Sequence, residues 1–236
     1  MTKRIIPDTI TSCNLLCGAI ATFLATQNAF ALAFIFILGG AFFDFFDGLS
    51  ARLLKAPSKV GVELDSLADD ITFGLAPAMM VVCYLRPLIG WWALIAFVMA
   101  AFSALRLAKF NVDERQTSSF IGLATPANAI FWGGICCMPY AMTVPVWMPW
   151  CLLALTFVSS GLLISEIPFF SLKFKNFVWK DNDDKYIFLI GALILIVFCI
   201  VKAAASGIWT FVLFGGSAVI VWYVVLNLLV NIIRKK

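Results

Sequence analysis

An all-α, polytopic membrane helix bundle is the fold class this sequence predicts, and three observations carry the prediction. The 236-residue chain is 63% hydrophobic and only 13% charged, with a mean hydropathy of +1.01, well past the apolar share of a soluble domain. Its apolar residues fall into eight runs, most of them near the roughly 20 residues that a membrane-crossing helix needs. When those runs cross alternately, fifteen of the 17 basic residues fall on one side and only Arg86 and Lys202 on the other. By the positive-inside rule the fifteen mark the cytoplasmic side, with both termini there.

The runs lie near 8 to 27, 29 to 54, 60 to 85, 88 to 111, 120 to 142, 145 to 166, 186 to 203 and 207 to 232. The first follows a basic start and so resembles a signal peptide. Its length and the lack of a small-x-small cleavage site predict that it stays as the first membrane helix. Lys55 to Lys59 form a short connection, with Pro57 stopping the second helix and lysines at headgroup level. Pro77 predicts a kink in the third helix. Trp91, Trp92, Trp147 and Trp150 sit near span ends on the side opposite the basic residues and read as interface anchors. Residues 173–185 are the one sizeable hydrophilic loop, and the chain has no room for a separate soluble domain. The seven cysteines lack metal-ligand spacing and read as small buried hydrophobes, the neighbours Cys136 and Cys137 included.

One stretch breaks the apolar pattern. Of the 13 acidic residues, six (Asp44, Asp47, Glu63, Asp65, Asp69 and Asp70) lie between positions 44 and 70. Asp44, Asp47, Gly48, Ala51 and Arg52 fall on one helical face, and Gly61, Asp65 and Asp69 on a face of the next helix. Two helices thus offer an acidic pair each to one site at the cytoplasmic end. Carboxylates brought together in a low dielectric repel unless a cation neutralises them. With no histidine in the chain, an oxygen-only ligand set points to a hard divalent ion, Mg²⁺ or Mn²⁺, and such ions usually clamp phosphate oxygens. Gly48 and Ala51 leave space beside the ion, and Arg52 offers a fork suited to phosphate. The residues alone therefore predict metal-assisted phosphoryl transfer. Aspartates lining a cation path form the competing reading, and a requirement for a nucleotide-linked lipid separates the two.

The spacing Asp44-x₂-Asp47-Gly48-x₂-Ala51-Arg52-x₈-Gly61-x₃-Asp65-x₃-Asp69 resembles, position for position, the motif of the CDP-alcohol phosphotransferase family. Further segments resemble its phosphatidylserine synthase branch: Asp65 to Asp69 followed by Thr72 to Pro77, then Leu105 to Asn111, Gly122 to Ala127, and Ile167 to Lys173. Two positions depart, Asp8 where relatives often carry asparagine and Ala124 where they often carry proline.

The resemblance implies a six-helix core (residues 1–172), the cytoplasmic loop 173–185, and two added C-terminal membrane helices (186–236). It also implies a homodimer in the inner membrane, acting on the membrane lipid CDP-diacylglycerol, with no nucleic acid as partner. Asp44, Asp47, Asp65 and Asp69 would bind one or two metal ions. Asp8, Thr11, Gly48, Ala51, Arg52 and Ser58 would contact the CDP-lipid. Asp69 would take the proton of the acceptor hydroxyl while CMP leaves. The motif specifies the donor, so L-serine, glycerol-phosphate and inositol-phosphate all remain as acceptors, with serine implied by the branch. A zwitterion needs a cation for its carboxylate, and Arg106 and Lys109 near the end of the fourth span are the candidates for serine binding, Arg106 first because its fork matches a carboxylate. Both residues also satisfy the positive-inside rule without any ligand.

Overall fold

Long apolar runs separated by short polar breaks fold as helices almost throughout the computed structural model, which describes residues 2–55, 58–112, 120–138, 145–170 and 182–234. The helices are α1 (Thr2–Thr26), α2 (Phe30–Leu53), α3 (Lys59–Asp69), α4 (Ala76–Ile89), α5 (Val98–Val112), α6 (Thr125–Cys136), α7 (Met148–Ile164), α8 (Asp183–Ser206) and α9 (Thr210–Arg234). A π-helical turn, Asp70–Leu75, joins α3 to α4, and a 3₁₀ stretch, Gly90–Phe97, joins α4 to α5. Two residue pairs form a small antiparallel clasp, β1 (Phe120–Ile121) against β2 (Pro168–Phe169). Among the described residues five helical runs are long and apolar enough to cross a membrane, and one of them, Lys59–Val112, covers the third and fourth expected spans. Gly90 divides that run with φ of +60°, a left-handed conformation that only glycine adopts freely. The protein is a membrane-spanning helix bundle.

The expected spans shift at their ends. The first helix starts at Thr2, with Pro7 inside it, since a proline so near the start costs one ladder bond at most. The fifth and sixth are shorter than expected, 12 residues in α6 and 17 in α7. Residues 120–121 are spent on β1, and Pro126 and Pro149 each open a helix in its first turn, where a missing N–H costs nothing. The seventh is longer than expected, 24 residues. Pro77 stands in the first turn of α4 immediately after the π-helical turn, so the expected kink of the third helix takes the form of a widened turn. Most of the expected 173–185 loop, as well as Arg115 and Pro57, lies outside the described residues.

The core is built by α1, α2, α4 and α6 around Phe34, Ile37, Met80, Leu85 and Trp132. Small residues, Ala21, Ala25, Ala33, Ala76 and Ala78, are fully buried between these helices and let the backbones approach closely, as membrane bundles require. Trp132 Nε1 donates to Ser159 Oγ of α7 at 3.0 Å. At the end away from the acidic residues, the Arg86 guanidinium lies 4.6 Å over the Trp91 ring, and Trp92 meets Trp150 with ring centroids 6.4 Å apart. All four expected anchor tryptophans are exposed there, with amphipathic rings suited to an interface. Helix α8 leans on α9 and presents Leu193, Ile194, Phe198 and Val201 outward, a face that only lipid solvates well.

Candidate active site

Four helix ends meet where the acidic residues lie. Near the start of α1 the polar residues Asp8, Thr11 and Asn14 recur every third position, so they form one stripe facing α2 and α3. Ser58 caps α3, its Oγ accepting from Gly61 N at 2.9 Å. A Cβ at position 61 would stand 2.9 Å from that oxygen and 3.2 Å from Asp8 Oδ1, so glycine lets the cap and α1 close on each other. From α5, Asn111 Nδ2 donates to Ser66 Oγ at 2.8 Å.

Asp44 and Asp47 of α2 and Asp65 of α3 point one oxygen each to a common centre, with those atoms all within 4.8 Å of one another. Asp47 is 5% exposed. Its Oδ2 and the Oδ1 of Asp65 are buried without any hydrogen-bond donor. Buried anionic oxygens with no partner are expensive, and a hard divalent cation is the partner that an all-oxygen set fits. The residues present thus suit the metal that the sequence implies.

Asp69 stands outside this cluster of three. Its Oδ1 accepts from Asn14 Nδ2 at 3.0 Å, which ties it to α1 one turn beyond Asp65. Asn14 is fully buried and is itself held from below, its backbone carbonyl accepting from Thr72 Oγ1 at 2.9 Å. Thr72 fits in that place because Gly18 of α1 and Gly40 of α2 flank it. A Cβ at position 18 would lie 2.7 Å from Thr72 Cα, and one at position 40 would lie 2.8 Å from Asn14 Oδ1. Neither Asn14 nor Thr72 was singled out by the sequence reading. The signal available for Asn14 was its place on the Asp8–Thr11 stripe of an otherwise apolar helix.

Beside the three carboxylates opens a cavity of about 180 Å³ lined by Asp8, Thr11, Gly48, Ala51, Ser58 and Asp65, among others. Five of the six residues expected to touch a CDP-lipid line it. Arg52, the sixth, is exposed at the end of α2 and is not among the lining residues. Its own helix and chain neighbours aside, no atom of the described residues lies within 4 Å of a Cβ built on Gly48, so the space expected there is open. The two candidate acceptor residues separate. Arg106 is 8% exposed, donates from Nη1 to Thr125 Oγ1 at 3.4 Å, keeps its Nε without a partner and lies near enough to Asp69 for their charges to interact. Lys109 is exposed.

These features have counterparts in known proteins. The family model described as CDP-alcohol phosphatidyltransferase matches residues 4–158, which include the aspartates, the cavity and Arg106. A protein of Bacillus subtilis (strain 168) named CDP-diacylglycerol--serine O-phosphatidyltransferase is 38% identical over 167 residues, 70% of this chain and 89% of that one. Proteins with the same name are 34% identical over 127 residues in Helicobacter pylori (strain ATCC 700392 / 26695), 52% of this chain and 54% of that one, and 35% identical over 131 residues in Methanocaldococcus jannaschii, 56% and 60%. The chain therefore spans most of the Bacillus relative but little more than half of the other two. With the motif spacing, the convergence of three of its carboxylates and a match over most of the chain in agreement, this chain belongs to the CDP-alcohol phosphatidyltransferase family.

Proposed function

We propose that the chain transfers the phosphatidyl group of CDP-diacylglycerol to the hydroxyl of L-serine and releases CMP, at the cytoplasmic face of the inner membrane. The observation that carries this reading is the convergence of Asp44, Asp47 and Asp65 beside an open cavity. The names of the relatives favour serine over glycerol-phosphate or inositol-phosphate as acceptor.

Asp44, Asp47 and Asp65 would hold the divalent ion, Mg²⁺ or Mn²⁺, with Asp69 as the fourth carboxylate of the set. When bound, the ion would neutralise the diphosphate and the leaving phosphate of CMP. Asp8, Thr11, Gly48, Ala51 and Ser58 receive the CDP part in the cavity, and Arg52 reaches it from the rim. Asn14 holds one oxygen of Asp69 and leaves the other to take the proton of the serine hydroxyl. The serine oxygen bonds to the phosphorus that carries diacylglycerol, the P–O bond to CMP breaks, and the proton passes from Asp69 to solvent. Arg106 pairs with the serine carboxylate, with Lys109 at the exposed edge. The catalytic part would be residues 1–172, followed by the loop 173–185 and the helix pair 186–236, with the chain assembled as the homodimer that the resemblance implies.

Incubating purified protein and CDP-diacylglycerol with serine, glycerol-phosphate or inositol-phosphate, and scoring CMP release, tests the reading. Serine should drive release in the presence of Mg²⁺ or Mn²⁺. Faster release with either phosphorylated alcohol would reject serine as the acceptor, and no release with any of the three would reject the activity.

A further inference from the structure

Helix α9 lies beyond the residues that the family model matches, yet three of its polar residues lie at the end of the bundle where Arg106 sits. Tyr223, Asn227 and Asn231 are four apart and so form one stripe on a helix that is otherwise apolar. All three are hydrogen-bonded to the backbone of one short segment. Asn227 Oδ1 accepts from Phe170 N at 2.8 Å, Tyr223 Oη donates to Phe170 O at 2.9 Å, and Asn231 Nδ2 donates to Pro168 O at 2.9 Å. Asn227 is 2% exposed, and the Tyr223 ring packs on Phe169 and Phe170 with centroids 5.6 and 5.3 Å away. A two-residue strand pair has no stability of its own. Here β2 has β1 on one edge, while the side chains of α9 satisfy backbone groups just where a third strand would.

From the clasp the constraint runs to the Arg106 side chain. Gly122 N donates to Ile167 O at 3.0 Å and Leu123 N to Leu162 O at 2.8 Å, so the residues after β1 are stitched to the end of α7. Gly122 has φ of +77°, and a Cβ there would lie 3.0 Å from Ser165 O and 3.2 Å from Leu162 O. No other residue fits that conformation and that space. Three residues on, Thr125 opens α6 and accepts from Arg106 Nη1. The Arg106 fork is thereby oriented by a segment whose far edge α9 holds.

We propose that α9 is a positioning element for the acceptor site: its Tyr223–Asn227–Asn231 stripe splints the β1–β2 clasp and through Thr125 orients Arg106 for the carboxylate of an amino-acid acceptor. This rests on the reading of Arg106 as the carboxylate anchor. The three stripe residues touch no substrate, so they act on acceptor affinity and leave the nucleotide cavity alone.

Kinetics of the full chain in lipid nanodiscs test it, with serine and CDP-diacylglycerol varied separately. Asn227→Leu combined with Asn231→Leu should raise KM for serine by about tenfold while kcat and KM for CDP-diacylglycerol stay within about twofold. Tyr223→Phe keeps the ring and should shift serine KM in the same direction by less, and it carries the test if the double variant does not fold. Ser217→Ala is the control, because it cuts an α9 bond to the core, Oγ to Phe131 O at 2.6 Å, without touching the clasp. It should leave serine KM unchanged. Amide exchange at Gly122, Leu123 and Phe170 should quicken in the double variant and not in Ser217→Ala. An unchanged serine KM in the stripe variants, an equal rise in Ser217→Ala, or a fall in kcat with KM unmoved would overturn the proposal. If Arg106→Ala leaves serine KM unaltered while the stripe variants raise it, the route through Arg106 is wrong. If wild-type protein shows no serine-dependent CMP release, the serine reading fails instead, and the exchange data together with KM for whichever alcohol does drive release decide the fate of the splint.

Discussion

A buried carboxylate oxygen with no donor is costly, and Asp47 and Asp65 each keep one, which makes them the sharpest test of the metal. Asp65→Asn should abolish turnover and weaken divalent-ion binding, measured by calorimetry, because an amide cannot supply the anionic ligand. Turnover of the wild type in thorough EDTA chelation would sink the metal altogether. Asn14 is different in kind, since it acts on Asp69 through a single hydrogen bond. A hydrogen bond to a charged group is worth about 1.5–3 kcal/mol, so Asn14→Leu should lower kcat by about 10- to 100-fold with KM for CDP-diacylglycerol little changed. An equal loss in both parameters would point to damaged packing instead. Arg106→Ala removes a buried charged contact to the acceptor, and about 2–5 kcal/mol of such a contact translates into a serine KM raised by about 30-fold or more. The four carboxylates could be read from spacing, because charge in an apolar chain stands out by itself, and Gly48 and Ala51 from their place on the same helical face; Asp8, Thr11 and Ser58 came only from the family resemblance. For Asn14 the sequence offers only a place on the Asp8–Thr11 stripe, since its role comes from facing a residue 55 positions away. The split between Arg106 and Lys109 was equally hidden, because both sit on one helix three apart and only tertiary packing buries the first.

Helices α1 to α3 show how local sequence and packing divide the work. Gly48 and Gly40 lie two turns apart on α2, yet they face different needs. Gly48 faces open space, so Gly48→Ala should leave the melting temperature unchanged or higher, as alanine favours the helix by about 1 kcal/mol. It should nevertheless raise KM for CDP-diacylglycerol, because the methyl group enters the space reserved for the nucleotide. Gly40→Ala should behave in the opposite sense, lowering the melting temperature by an overpacking cost of about 1–3 kcal/mol and reducing kcat with it, since its Cβ would press on Asn14 and Thr72. A thermal melt and two KM values separate the two variants. Helix existence followed from hydropathy, but the π-helical turn Asp70–Leu75 did not. That turn exists because Thr72 must reach Asn14 between two glycines while Asp65 and Asp69 still face α1 and α2. Such a register change is set by three helices together and leaves no trace in the periodicity of one. The β1–β2 clasp escaped for the same reason, its two strands being 47 positions apart and two residues long.

Across the whole bundle, polarity is sorted by end. The start of α1, the end of α2, the start of α3, the end of α5, the start of α6 and the ends of α7 and α9 share the end that carries the aspartates, the clasp and Asn231. The opposite end carries the four anchor tryptophans, Trp91, Trp92, Trp147 and Trp150, and Arg86. Such sorting is what a charge-biased crossing of the membrane produces, and fifteen of 17 basic residues lie with the aspartates when the spans alternate. The acidic end should therefore face the cytoplasm, where serine is in solution and CMP can leave. Single cysteines in a chain lacking the native seven can test this with a membrane-impermeant maleimide. Lys59 and Val146 are exposed at the two ends, and neither lines the cavity beside the aspartates. Lys59→Cys should be labelled only after the membrane is opened, whereas Val146→Cys should be labelled in intact spheroplasts. Reversed labelling would turn the protein over and deny the aspartates access to cytosolic serine. Labelling of both positions from outside would mean that the bundle does not cross the membrane as the eight expected spans require.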